Sequence, residues 1–330
     1  MGQTGSVPEP TTYALPLRTR FRGILERQGM VWRGPAGWAE WSPFLDYAGT
    51  ELVPWLRAAY EAAETGWPAP LRDRVPVNST IPAVGPDQAH RLTAEAGCRT
   101  AKVKVAEPGQ TVADDLARVE AVRDALGPGG AVRVDANGGW SVDQAERRLR
   151  ELARFGLEYA EQPCASVEEL ADLRRRLARS GTDVLVAADE SIRRVEDPYR
   201  VRALEAADVA VLKVQPLGGV RACLEIAERI GLPVVVSSAL ETSVGIRAGL
   251  ALAAALPELP FACGLNTVRL LADDLVAQPL VAVDGELPVA ALEVPQAALV
   301  RHGAPVAVDA FWQARLVQTR ELAAAGAGRG

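Results

Sequence analysis

Ala131-Val132-Arg133-Val134-Asp135-Ala136-Asn137 reads as a short apolar strand that ends on a carboxylate and a carboxamide. One such ending is ordinary, because a lone acid at a strand end commonly caps the next helix. Here the ending recurs. Tyr159-Ala160-Glu161 runs into Gln162-Pro163 about one strand–helix unit later, and Val184–Ala188 runs into Asp189-Glu190-Ser191 about one unit after that. Three acids in step on successive strands repel one another unless a cation lies among them. An all-oxygen donor set suits magnesium rather than zinc.

The neighbouring strands carry lysine. Ala101-Lys102-Val103-Lys104-Val105 precedes the first acid, and Val209–Val214 after the last acid contains Lys213, followed by Pro216-Leu217-Gly218-Gly219. Lys102 and Lys104 share one strand face, since side chains alternate. Lysine inside an apolar strand is costly to bury without a charged partner. Carboxylates, a metal and a bound anion would supply that pairing, and a neutral lysine in such a pocket can act as a base near pH 7. A solvated edge strand is the plainer reading of Lys102 and Lys104. Arg133, Asp135 and Asn137 repeat the two-residue spacing, and Arg133 reads as a brace below the acids rather than a substrate contact.

Working outward, apolar strands are expected at Ser79–Ala83, Ala101–Val105, Ala131–Asp135, Tyr159–Glu161, Val184–Ala188, Val209–Val214, Val234–Ser237 and Phe261–Cys263, with amphipathic helices between them. Ser141 with Gln144, and Ser166 with Glu169, spell capping boxes, and Asp197-Pro198 opens a shorter helix. This alternation is the pattern of a parallel barrel. A doubly wound open sheet is the rival, weakened because no glycine fingerprint follows the first strand. Before residue 76 the pattern differs. Strands at Phe21–Leu25, Met30–Arg33 and Gly37–Trp41, with a turn at Gln28-Gly29, precede a helix bearing Leu52, Leu56, Ala59 and Ala63. After Leu280 the chain is irregular until a helix from Asp309, read as its N-cap, to about Ala323, followed by a tail expected to be mobile. The domains are thus 1–75, a small α+β unit, and 76–289, the barrel.

Composition excludes several classes. A net charge of -6 argues against nucleic acid or an anionic membrane as partner. Two histidines, His90 and His302, leave little material for zinc or triad chemistry. Cys98, Cys164, Cys223 and Cys263 form no C-x-x-C pair and read as reduced, buried thiols. No basic-then-apolar leader is visible, so a cytoplasmic location is expected. Met1-Gly2 with Ser6 matches an acylation pattern only formally. Oligomeric state is left open.

Lys102-Val103-Lys104, Val134-Asp135-Ala136-Asn137, Glu161-Gln162-Pro163, Asp189-Glu190-Ser191 and Lys213–Gly219 together resemble the enolase superfamily, in its muconate-lactonizing-enzyme subgroup. The resemblance implies an α/β fold, a modified TIM barrel of (β/α)7β form under an N-terminal α+β capping domain completed by residues 290–330. It implies magnesium, for which manganese could substitute, held by Asp135, Glu161 and Asp189. Lys104 and Lys213 would face the substrate from opposite sides, with Lys102 the auxiliary lysine whose like charge favours the neutral amine form of Lys104. Within the subgroup, Val75–Pro82, Arg133 and Ser237-Ser238-Ala239-Leu240-Glu241-Thr242 resemble the short actinobacterial o-succinylbenzoate synthases. The implied activity is dehydration of a small-molecule carboxylate, with Asn137, Ser237, Ser238 and Gly264 as substrate contacts. No early loop stands out as a source of cap–substrate contacts.

The same lysine pair could serve an N-acylamino acid racemase, a dipeptide epimerase or a cycloisomerase. From other classes, a Schiff-base lyase using Lys104 or Lys213, or a non-catalytic carboxylate-binding barrel, would use the same strand ends differently.

Overall fold

The computed structural model describes residues 9–193 and 198–327. The Met1-Gly2/Ser6 pattern, Asp197 and the last three residues of the tail lie outside them. Strands β1 (Thr11–Phe21), β2 (Ile24–Gly34) and β3 (Gly37–Trp41) form an antiparallel sheet in that order. The first turn is not at Gln28-Gly29. Arg22 and Gly23 join β1 to β2, both at positive φ, as a two-residue hairpin with the right twist requires. Gln28 and Gly29 lie inside β2, paired with Ala14 and Tyr13. Glycine at 29 provides space, since a Cβ there would stand 2.5 Å from the Ser42 Cβ and 2.8 Å from the Tyr13 hydroxyl.

The helices Leu52–Tyr60 and Val306–Ala327 share a core with this sheet, built on Trp32, Trp41, Trp55 and Trp312. Trp41 and Trp312 meet edge to face at 5.5 Å, and Arg315 donates to the carbonyls of Pro43, Phe44 and Tyr47. The last helix starts before Asp309 and runs past Ala323 to Ala327, so the described part of the tail is helical. Asp309 sits in its first turn, where it accepts a hydrogen bond from Thr12 Oγ1.

The rest of the chain is built on a parallel sheet. β4 (Arg74–Pro76) stands apart, and β5 (Ser79–Ile81), β6 (Thr100–Lys104), β7 (Ala131–Asp135), β8 (Leu157–Glu161), β9 (Leu185–Ala188), β10 (Val209–Leu212) and β11 (Val234–Val236) lie side by side in chain order. The eighth strand, expected at Phe261–Cys263, is reduced to two bridging residues. Cys263 pairs with Val77 and Gly264 with Ser237, and main-chain bonds on both sides close the barrel. Pro260 offers no N–H for a longer ladder. β12 (Glu286–Pro288) returns antiparallel to β4.

Helices between the strands begin where expected, with Ser141 and Ser166 in capping boxes, joined by Thr111 with Asp114. Between β9 and β10 the described helical turns are Glu190–Arg193 and Arg200–Ala203. All four cysteines are buried and free. Among the described residues no helix is long and apolar enough to cross a membrane.

Trp312 is fully buried against Trp41, so Trp312→Ala should cost about 3–5 kcal/mol of stability in urea unfolding. A change below about 1 kcal/mol would show that the last helix is not part of this core.

Candidate active site

The C-terminal ends of β6 to β10 open on one side of the barrel, where active sites of this architecture sit. Register sets the site. Lys104 pairs with Asp135 and Asp135 with Glu161, so these three side chains stand at one level. Lys104 Nζ donates to Asp135 Oδ2 at 2.6 Å and also to Asn137 Oδ1. Lys102 Nζ lies 3.3 Å from the same Asp135 oxygen and donates to Glu161 Oε1 at 2.6 Å. Lys213 Nζ donates to Asp189 Oδ2 at 2.6 Å, and Arg193 Nε to Asp189 Oδ1 at 2.9 Å.

The three carboxylates are at most 1 % exposed and the three lysines at most 8 %. Burial works against the Lys102 ammonium, but Glu161 and Asp135 outweigh it and hold its pKa above the ordinary lysine value. Burial also opposes ionisation of Asp135, yet Lys104 and Lys102 hold its carboxyl well below the usual range. Arg193 and Lys213 do the same for Asp189 against burial. Glu161 goes the other way. Burial dominates, Lys102 opposes it, Asp135 and Asp189 add to it, and the carboxyl is pushed up to about 7.

The ammonium and guanidinium groups stand between the carboxylates, so among the described residues no three metal-binding side chains form a ready set. The donors nevertheless fit a hard divalent cation. All are oxygen, all are buried, and Glu161 Oε2 has no hydrogen-bond partner. An orphaned buried carboxylate oxygen is costly unless something positive meets it.

Arg133 lies one layer down, paired in register with Lys102. It bonds Glu158, Asn78 Oδ1 at 3.1 Å and the Ala262 carbonyl at 2.7 Å, over the Tyr159 ring. It braces the barrel wall below the site and is fully buried there. Asn137, Ser237 and Ser238 line the pocket between Lys104 and Lys213. Gly264 does not line it. A Cβ at 264 would press 2.6 Å from Ser237 Oγ, so this glycine makes room for the serine.

Several lining residues escaped the sequence reading. Phe21, Arg22 and Phe44 close the pocket from the cap, Arg22 over the Phe44 ring at 4.3 Å. Placing the first turn at Gln28-Gly29 hid Phe21 and Arg22, because the true turn at Arg22-Gly23 carries these two to the pocket mouth, whereas Phe44 comes from the chain after β3. Thr80, with an unpartnered buried hydroxyl, and Thr267 complete the wall. Arg193 had no motif to mark it. One signal was available and unused: lysine occurs only at 102, 104 and 213, and every other residue among the 36 lysines and arginines is arginine.

The free volume between these side chains is only about 30 Å³. A larger cavity of about 520 Å³ lies beside it, between β5 and the segment 266–274, with Thr80 common to both walls. The smaller space is the candidate site, because the lysines and Asp135 face it.

Residues 12–63 match the family described as enolase N-terminal domain-like, and residues 86–324 match the enolase C-terminal domain-like family. The chain is 63% identical over 309 residues to the o-succinylbenzoate synthase of Thermobifida fusca, covering 93% of this chain and 95% of that protein. It is 54% identical to the o-succinylbenzoate synthase of Mycolicibacterium smegmatis, covering 94% of each chain. Solved structures with the same fold include muconate lactonizing enzyme from Pseudomonas putida, at TM-score 0.74 and 23% identity, covering 90% of this chain and 98% of that one. Another is 2-chloromuconate cycloisomerase from Rhodococcus opacus 1CP, at TM-score 0.76 and 22% identity, covering 91% and 100%. At that identity the structures speak for the fold alone, whereas the sequence relatives favour the synthase over the racemase and epimerase readings. The chain belongs to the o-succinylbenzoate synthase family of the enolase superfamily.

Proposed function

We propose that the pocket performs a syn dehydration of 2-succinyl-6-hydroxy-2,4-cyclohexadiene-1-carboxylate to 2-succinylbenzoate, in menaquinone biosynthesis in the cytoplasm. Residues 1–75 and 290–330 act as the cap and 76–289 as the barrel. The observation that carries this reading is the placement of the chain's three lysines: all three line one pocket, and each is buried against a carboxylate.

Lys104 on β6 and Lys213 after β10 approach from opposite sides, with three strands between them. A ring held between them would show one face to each. Lys104 as the free amine takes the proton alpha to the carboxylate. The same group, now an ammonium, returns that proton to the departing hydroxyl as the ring becomes aromatic. One lysine thus acts as base and then acid on one face, and water leaves. Lys213 stays an ammonium and stabilises the charge that builds up on the opposite face. Lys102 remains cationic beside Asp135 and Glu161. Asp135, Glu161 and Asp189 would hold magnesium, or manganese in its place, which when bound draws off charge developing on the substrate carboxylate. Phe21 and Phe44 exclude water from the cap side, and Thr80, Asn137, Ser237 and Ser238 offer polar contacts.

A continuous ultraviolet assay of aromatic product with this substrate and magnesium tests the reading. No turnover by wild type would overturn it. Arginine keeps the charge of lysine but is not a usable base. Lys104→Arg should therefore abolish turnover, a loss of about 10²- to 10⁴-fold or more, while Lys213→Arg retains a measurable residue. Equal loss in both would contradict the assigned roles. Asp135→Asn, Glu161→Gln and Asp189→Asn should each weaken magnesium binding in calorimetry. Unchanged binding in any one would remove that residue from the metal set.

A further inference from the structure

A second pair of buried acids lies outside the lysine cluster, where the cap meets the end of β11. Glu40 of β3 and Glu241, just beyond the pocket-lining loop Ser237–Leu240, are both buried. Glu40 accepts from Tyr13 Oη at 2.8 Å, Ser42 Oγ at 2.7 Å, Thr242 Oγ1 at 2.5 Å and Gly245 N at 2.9 Å. Five residues from two parts of the fold thus converge on the cap side. Glu241 Oε2 accepts from Ala239 N at 2.6 Å, and its Oε1 lies 3.4 Å from Gln215 Nε2. Gln215, two residues after Lys213, accepts from the Ser42 main-chain N–H at 3.1 Å. Arg27 of β2, the buried cation nearby, donates to the carbonyls of Leu240 at 2.9 Å and Ala239 at 3.3 Å. The loop is therefore gripped by its amide from Glu241 and by its carbonyls from the cap. Leu240 has φ +63, a strained conformation for leucine that the surroundings must hold.

A buried polar network at such a junction is usually structural. This one differs because its two ends are pocket wall and catalytic strand. We propose that Glu241 is a positioning residue: it fixes the loop Ser237–Leu240 and, through Gln215, ties that wall and the Lys213 strand to the cap. The pocket is then complete only when the cap is seated. This rests on reading the pocket as the reaction site.

The arrangement carries a pH response. The titratable and charged groups facing Glu241 are Glu40 from β3, Tyr13 from β1 and Arg27 from β2. Burial is the main influence on the Glu241 carboxyl and Glu40 adds to it, pushing it up to about 7 against the pull of Arg27. Burial raises Glu40 as well, with hydrogen bonds from Thr242 and Ser42 opposing. A carboxyl raised in the folded state favours that state while protonated, and the contribution is lost as pH rises from its unfolded value through 7. Above that point Glu241 is an anion in a buried site beside Glu40, and the grip on the loop weakens.

Kinetics and hydrogen–deuterium exchange on wild type, Glu241→Gln and Glu241→Ala between about pH 6 and 8.5 test this. The ratio of wild-type KM to that of Glu241→Gln should climb about fivefold across the range, with the kcat ratio within about twofold. Glu241→Ala should raise KM about tenfold at every pH. Amides of residues 237–242, corrected for intrinsic rates, should lose protection in wild type as pH rises and show no such change in Glu241→Gln. A flat KM ratio together with pH-independent protection in both proteins would overturn the proposal. If Glu241→Ala does not fold, the glutamine variant decides alone. Exchange needs no substrate, so failure of the reaction assignment would leave that arm intact.

Discussion

Burying three lysines and three carboxylates against one another at the strand ends is the condition that the rest of the fold serves. Any one of these charges, desolvated without its partner, would cost several kcal/mol. They are tolerable together because the barrel holds Lys104, Asp135 and Glu161 in register and brings Asp189 and Lys213 round the same mouth. The layer below is fixed independently. Arg133 reaches from β7 to Asn78 and the Ala262 carbonyl, on either side of the two-residue closure of the sheet. The charged layer thus rests on a guanidinium whose Nε and Nη1 are bonded to the barrel wall. Confinement of lysine to three positions follows the same logic. Arginine serves elsewhere as a permanent cation, whereas lysine can release its proton, as the proposed reaction requires.

The cap is seated on the strand ends rather than merely covering them. Glu61, at the end of the helix Leu52–Tyr60, accepts from the N–H groups of Val220 and Arg221 at the start of the helix Val220–Ile230. That helix N-terminus therefore meets a carboxylate of the cap. Gly219 has no side chain at the point where Glu61 passes, since a Cβ would lie 2.3 Å from its oxygen. Together with Gln215 and Ser42, this gives the cap two holds on the loop after Lys213.

What could be read from sequence was what repeats or stands at a fixed offset. The alternation of strand and helix, the acids at successive strand ends and the capping boxes of Ser141 and Ser166 are local patterns, and the fold keeps them. What could not be read depends on contacts between distant segments. Gly29 looks like a turn but answers to Ser42 and Tyr13 across the sheet. The eighth strand shrinks to Cys263 and Gly264 because closure needs only two residues between Val77 and Ser237. Arg193 follows Asp189 by one helical turn, and nothing in its neighbourhood marks it as a partner of that acid. Phe21 and Arg22 reach the pocket only because the hairpin turns at Arg22-Gly23, and Phe44 meets them there from beyond β3.

In the proposed mechanism Lys104 moves the proton. The most direct measurement follows solvent deuterium into the alpha position of a carboxylate ligand that binds the pocket but cannot eliminate. Wild type in heavy water with magnesium should wash deuterium in, and Lys104→Ala should lose exchange from the face this lysine addresses. Exchange in Lys104→Ala at the wild-type rate from both faces would place the base on another residue and contradict the mechanism.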